Sequence, residues 1–80
     1  MRDRAWLIEK SGEHGPEWIM LDDVNMEFVW SRDSVAAQRY RTREFAEEAL
    51  VSLRERDESD GVLFRKAKDV CVTEHEWVAP

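Results

Sequence analysis

Three short apolar runs, each closed by turn formers and followed later by one amphipathic stripe, leave this chain few architectures. Ala5-Trp6-Leu7-Ile8-Glu9-Lys10 gives way to Ser11-Gly12-Glu13-His14-Gly15-Pro16, and the apolar run resumes at Glu17-Trp18-Ile19-Met20-Leu21. Run, glycine-rich turn, run is a hairpin signature. Asp22-Asp23-Val24-Asn25 separates the second run from Met26-Glu27-Phe28-Val29-Trp30, so the three predict an antiparallel meander. The stripe comes next. Phe45, Ala46, Ala49, Leu50 and Leu53 recur at the i, i+1, i+4, i+5, i+8 spacing of one helix face, predicting a helix at about 43–56. Thr42 is its N-cap and Glu44 stands in the first turn, where the helix dipole favours an anion. Glu47, Glu48, Arg54 and Glu55 take the other side, and Asp57-Glu58-Ser59-Asp60-Gly61 stops it. A short helical turn is expected at Ser34-Val35-Ala36-Ala37-Gln38. Strand returns at Val62-Leu63-Phe64 and at Asp69-Val70-Cys71-Val72-Thr73, the latter running on through Glu74-His75-Glu76-Trp77-Val78. The expected fold is α+β, an antiparallel sheet of three to five strands with one main helix packed on one face, in a single domain over residues 1–80.

Composition narrows the function classes. Twelve Lys plus Arg against eighteen Asp plus Glu leave a net charge of −6, which argues against coating nucleic acid. One cysteine excludes an intramolecular disulfide scaffold. Apolar runs as short as Trp18-Ile19-Met20-Leu21 cannot span a membrane, and the charged start Met1-Arg2-Asp3-Arg4 precedes too few apolar residues for a signal-peptide core. The expectation is a soluble protein of the cytoplasm, with no cofactor.

Candidate chemistry is sparse. Cys71 and His75 are four residues apart, with His14 a conceivable third ligand, but four residues of strand span about 13 Å, too far for one zinc ion. Cys71, between Val70 and Val72, is expected to be a small buried hydrophobe that resists thiol reagents. Glu74-His75-Glu76 resembles part of a catalytic triad on paper. Successive strand residues point to opposite faces, however, so neither glutamate shares the His75 side. All glycines sit in turns, and no phosphate loop exists. Enzyme is the weakest class.

Charge is unevenly placed. Residues 31–43 carry Arg32, Arg39, Arg41 and Arg43 against Asp33 alone, whereas 44–60 carry Glu44, Glu47, Glu48, Glu55, Asp57, Glu58 and Asp60 against Arg54 and Arg56. Arg39, Tyr40, Arg41 and Arg43 make a candidate nucleic-acid grip, arginines for phosphate and an aromatic for a base. The acidic stretch next door opposes it, and Arg43 lies i, i+4 from Glu47, where an ion pair is the simpler partner.

The tryptophans are the other anomaly. Trp6, Trp18, Trp30 and Trp77 all fall in predicted strands. In the first strand Trp6 and Ile8 oppose Ala5 and Leu7, and in the second Trp18 and Met20 oppose Ile19 and Leu21, so both sheet faces are apolar. One helix covers one face. The 31–41 segment offers mainly Val35, Ala36, Ala37 and Tyr40 for the other, too little for a face holding several tryptophans, so that face is expected to be covered by a second copy in a homodimer or, alternatively, by a host protein.

Several short motifs recur together: Trp30-Ser31-Arg32-Asp33, Ala37-Gln38-Arg39-Tyr40, Thr42-Arg43-Glu44 leading into Ala46-Glu47, and Val72-Thr73-Glu74-His75-Glu76-Trp77. In this order they resemble a group of small phage and prophage proteins, over about the last fifty residues. Phe45 departs from that group's usual polar residue, as a core anchor would. The resemblance implies a small α+β fold and a mobile-element origin in a bacterial host, and it transfers no activity. It also implies a sharper idea: the acids Glu44, Glu47, Glu48, Glu55, Asp57, Glu58 and Asp60 line one edge, imitate a phosphate backbone and so inhibit a host defence or nucleic-acid enzyme, with the aromatic surface of the four tryptophans as the other candidate interface.

Overall fold

The computed structural model describes residues 2–57, 63–65 and 67–78, with the side chains of Arg2, Asp3, Trp77 and Val78 excepted. Four strands and one helix follow in order: β1 Arg2–Gly12, β2 Gly15–Asp22, β3 Glu27–Ser31, α1 Arg43–Asp57 and β4 Lys68–Val78. They form one antiparallel sheet in the order β3-β2-β1-β4 with α1 on one side, which is the expected α+β architecture. Among the described residues, no helix is long and apolar enough to cross a membrane.

Turn chemistry sets the strand boundaries. Gly12 and Gly15 pair across the first hairpin. A side chain at Gly12 would run into the Glu17 carboxylate and the Gly15 carbonyl, and Gly15 has a φ of 121°, so both positions require glycine. Between β2 and β3 the Asp22 carboxylate accepts from the backbone N–H of Val24 at 3.0 Å and from the Asn25 side chain at 3.0 Å. Those bonds hold the Asp22 carboxyl below its ordinary pKa. On α1, Thr42 Oγ1 accepts the Phe45 N–H at 3.1 Å, the expected cap.

The strand alternation gives the sheet a helix side and a far side. On the helix side Ile8, Ile19 and Leu53 are buried together, with Phe28, Trp30, Tyr40, Ala49, Leu50, Leu63, Phe64, Val70 and Val72 packed against them. On the far side the buried cluster is Leu7, Trp18 and Ala37. The connecting segment supplies that cover. β1 pairs with β2 only from Glu9 to Gly12. Beyond Trp18 the two strands fork, and residues 37–40 fill the gap. Gln38 N–H donates to the Ile19 carbonyl at 2.9 Å, and Tyr40 exchanges two backbone hydrogen bonds with Trp6, both 2.9 Å. Ala37 thereby reaches the far side and Tyr40 the helix side.

Several expectations need correction. Leu63, Phe64 and Arg65 form a turn rather than a strand, held by the Asp57 carboxylate, which accepts from the N–H groups of Leu63 at 2.9 Å and Phe64 at 3.0 Å. Val62 lies outside the described residues. Residues 34–36 form a turn and not a helical segment. Phe45 is 55% exposed, because it lies about 100° around α1 from Ala46 and misses the core stripe centred on Ala46 and Leu53. Cys71 is exposed. Val70 and Val72 turn toward the helix, and alternation sends Cys71 to the far side of an edge strand, beyond the reach of the covering segment.

Candidate functional site

The outward face of α1 is the most distinctive surface. Ala46 and Leu53 fix which side of the helix is buried. The helical repeat then sends Glu44, Glu47, Glu48, Val51, Ser52 and Glu55 outward, where they line one shallow surface. Val51 is 56% exposed in the middle of the carboxylates. The helix arginines take other directions. The Arg43 guanidinium lies 6.0 Å from the Trp6 ring centre, Arg54 is 5.6 Å from Phe64, and Arg56 is 6.0 Å from Phe28. Each is a cation held over an aromatic ring that packs on or beside the sheet. Arg43 also donates to Glu47 at 2.9 Å, the expected i, i+4 pair. Positive charge is drawn to the flanks, and the crest of the helix is left acidic around one apolar residue.

Of the acids singled out by charge, Glu47, Glu48 and Glu55 share that crest. Asp57 does not: it is half-buried, and its carboxylate organises the turn at 63–65. Glu58 and Asp60 lie outside the described residues. The residues of the basic segment have different surroundings. The Tyr40 ring packs against the helix-side core, where burial raises its pKa. Arg43 has turned into the helix and toward Glu47, while Arg39 and Arg41 are exposed.

The tryptophans divide between the two faces. Trp6 and Trp30 are on the helix side, where Trp30 Nε1–H donates to the Leu63 carbonyl at 2.8 Å and its ring meets Phe64 edge-on at 5.9 Å. Trp18 is on the far side, 9% exposed. The Trp77 side chain is outside the described part of the chain. Contrary to the expectation that outside cover is needed there, Ala5, Leu7 and Trp18 on the far side are buried by the chain itself, while Cys71 on the same side is exposed.

That face holds an arrangement the sequence did not disclose. Glu9 Oε1 accepts from Trp18 Nε1 at 2.8 Å and from Thr73 Oγ1 at 3.3 Å, and lies 3.6 Å from His75 Nε2. The Trp18 and His75 rings meet edge-on at 5.3 Å. Glu76, sent by alternation to the other face, pairs with Arg4 at 3.3 Å. His75 does have a carboxylate partner, but it comes from the neighbouring strand. Only the pairing of β1 with β4 reveals it. Cys71, opposite Glu9 in that ladder, has its thiol pKa raised by partial burial and then by the Glu9 and Asp69 charges, the reverse of activation. Among the described residues, no group of three or more His, Cys, Asp or Glu is placed to hold a metal ion.

No family model, curated protein or solved structure matches the chain.

Proposed function

We propose that the chain is a non-enzymatic, protein-binding accessory module of the phage or prophage type, acting in the cytoplasm of a bacterial host. Its partner is a protein with a basic surface, in the sharper form a host defence or nucleic-acid enzyme whose nucleic-acid site the acidic helix occupies. A single observation carries the reading: α1 separates its charges, holding Arg43, Arg54 and Arg56 over aromatic rings while Glu44, Glu47, Glu48 and Glu55 surround exposed Val51. An apolar centre inside a charged rim is the layout of a protein-docking surface. The non-enzymatic part rests on how the reactive groups are used. Glu9 is engaged by Trp18, Thr73 and His75, and the Cys71 thiol is biased toward its protonated form.

The test is the triple variant Glu47→Lys, Glu48→Lys, Glu55→Lys. Exposed helix pairs contribute only about 0.3–0.5 kcal/mol each, so the melting temperature stays near wild type. Binding to the basic partner, or inhibition in a cell-based defence assay, is expected to disappear. Full activity in a folded triple variant removes the reading. DNA retention abolished by Arg39→Ala plus Arg41→Ala would put nucleic acid in the partner's place.

A further inference from the structure

We propose that the outer edge of β4 pairs antiparallel with the same edge of a second copy, about a two-fold axis through Thr73, joining the two sheets into one. The proposal uses a surface separate from the acidic helix crest and stands independently of that reading. The sheet order leaves β4 at an edge, and it runs for 11 residues, whereas β3 at the opposite edge has 5. A long edge strand presents a row of backbone N–H and C=O groups to an arriving strand. α1 packs on one face of the sheet, and residues 37–40 fill the fork between β1 and β2. Among the described residues, β4 presents the longer of the two strand edges.

What selects a second copy, and one register, is self-complementarity. A two-fold axis perpendicular to the sheet keeps each face with itself, so a residue must oppose one of its own side. Val70 and Val72 belong to the helix side, and Cys71, Thr73 and His75 to the far side. The irregularity between Glu9 and Ser11 on β1, with Asp69 in the left-handed region at φ 55°, ends the regular edge at Val70. Centring the pair on Glu74 sets that carboxylate against its own copy, and directly opposed like charges destabilise a sheet. Centring on Val72 drives His75 into the irregular Asp69 and shortens the ladder to 70–74. Centring on Thr73 uses the whole of 70–76. It sets Thr73 against Thr73, Cys71 against His75, Val72 against Glu74 and Val70 against Glu76, with no like charges opposed. Opposed threonines are also a favourable cross-strand pair.

The register is tested by a disulfide that only it permits. Directly opposed residues in an antiparallel pair have Cα atoms about 4.5–5.5 Å apart, within disulfide range. In the Cys71→Ser background, Thr73→Cys is therefore expected to cross-link under mild oxidation about tenfold or more faster than Val35→Cys, an exposed position away from β4. Wild-type Cys71 lies four residues from its own copy in this register, about 13 Å along the strand, and does not cross-link. The unmodified protein is expected to sediment as a dimer at about 100 µM, and Thr73→Lys, which opposes two ammonium groups across the axis, as a folded monomer. A wild-type monomer at that concentration, or equal cross-linking rates for the Thr73→Cys and Val35→Cys variants, overturns the proposal. The triple lysine variant of α1 leaves the cross-link unchanged, so loss of the helix reading and loss of this one register separately.

Discussion

On the helix side of the sheet, Ile8 and Ile19 are fully buried beneath Leu53 and a broad ring of aromatic and aliphatic side chains. On the far side Leu7 is just as inaccessible, but among the described residues it clusters with Trp18 and Ala37, beside a carboxylate bonded to Trp18 and Thr73 and close to His75. The same degree of burial is reached by two different means. Where a helix is available, apolar area supplies the stability, at about 25 cal/mol for each Å² removed from water. Where only a loop is available, a few apolar contacts are completed by a hydrogen-bonded hub, whose value depends on every member keeping its partner. A thin domain can thus close a second sheet face without a second layer.

Disrupting the helix side should cost the most. Leu53→Asp places a carboxylate between Ile8 and Ile19, losing the leucine burial and adding the penalty of an unpaired buried charge, about 4 kcal/mol or more together. A domain of this size has total stability of about 4–12 kcal/mol, so the circular-dichroism melting transition should fall steeply or vanish. An unchanged melt would mean that α1 does not hold this face. Leu50, also on the expected stripe, is only half-buried and should be the milder site.

A smaller loss is expected on the far side. Glu9→Ala leaves the part-buried Trp18 indole N–H without its acceptor, costing about 1–3 kcal/mol in denaturant unfolding. The same substitution removes one of the charges that raise the Cys71 pKa, so native-state thiol labelling at fixed pH should accelerate. Partial burial, the larger cause, persists, so Cys71 in either protein should label slowly at neutral pH and faster as pH rises. Labelling that is fast in the wild type and indifferent to Glu9 would refute the idea that this carboxylate governs the far side.

The least costly perturbation marks what lies outside both faces. The carboxyl of Asp22 is held below its ordinary value by Asn25 and Val24. Its contribution is therefore fully present above the unfolded carboxyl pKa of about 3.9 and is lost as pH falls through the lower folded value. Amide shifts of Val24 and Asn25 should follow that acid titration while the amides of Ile8 and Leu7 stay unmoved. Core amides moving in step would tie the turn to the interior.

How much of the molecule is legible in its sequence depends on how local each cause is. α1 runs Arg43–Asp57 against an expected 43–56, because its signals, Thr42 and a repeating stripe, are all near neighbours in sequence. The first hairpin is equally readable from Gly12 and Gly15. Leu63 and Phe64 look like a strand by composition, yet Asp57 captures their N–H groups and Trp30 the Leu63 carbonyl, partners that no local pattern contains. Glu9 reads in sequence as the polar end of an apolar run. Its role depends on the register of β1 with β4, which brings together residues more than sixty positions apart. Cys71 misleads for a related reason. Two flanking valines say nothing about whether the opposite side of an edge strand is covered.

The central position of β1 also shapes how the molecule must assemble. Its ladder with β4 runs from Arg2 opposite Val78 to Ser11 opposite Lys68, the most distant pairing available to these strands. The hairpin and α1 can form early from nearby residues. The middle of the sheet cannot close until a segment about sixty or more positions away has diffused into place, a search whose loop-closure entropy slows folding. On loop-closure entropy, docking of β4 is the step expected to come late. A chain cut before Lys68 would lose both the ladder that makes the first strand an interior one and the Val70 and Val72 contacts of the helix-side core.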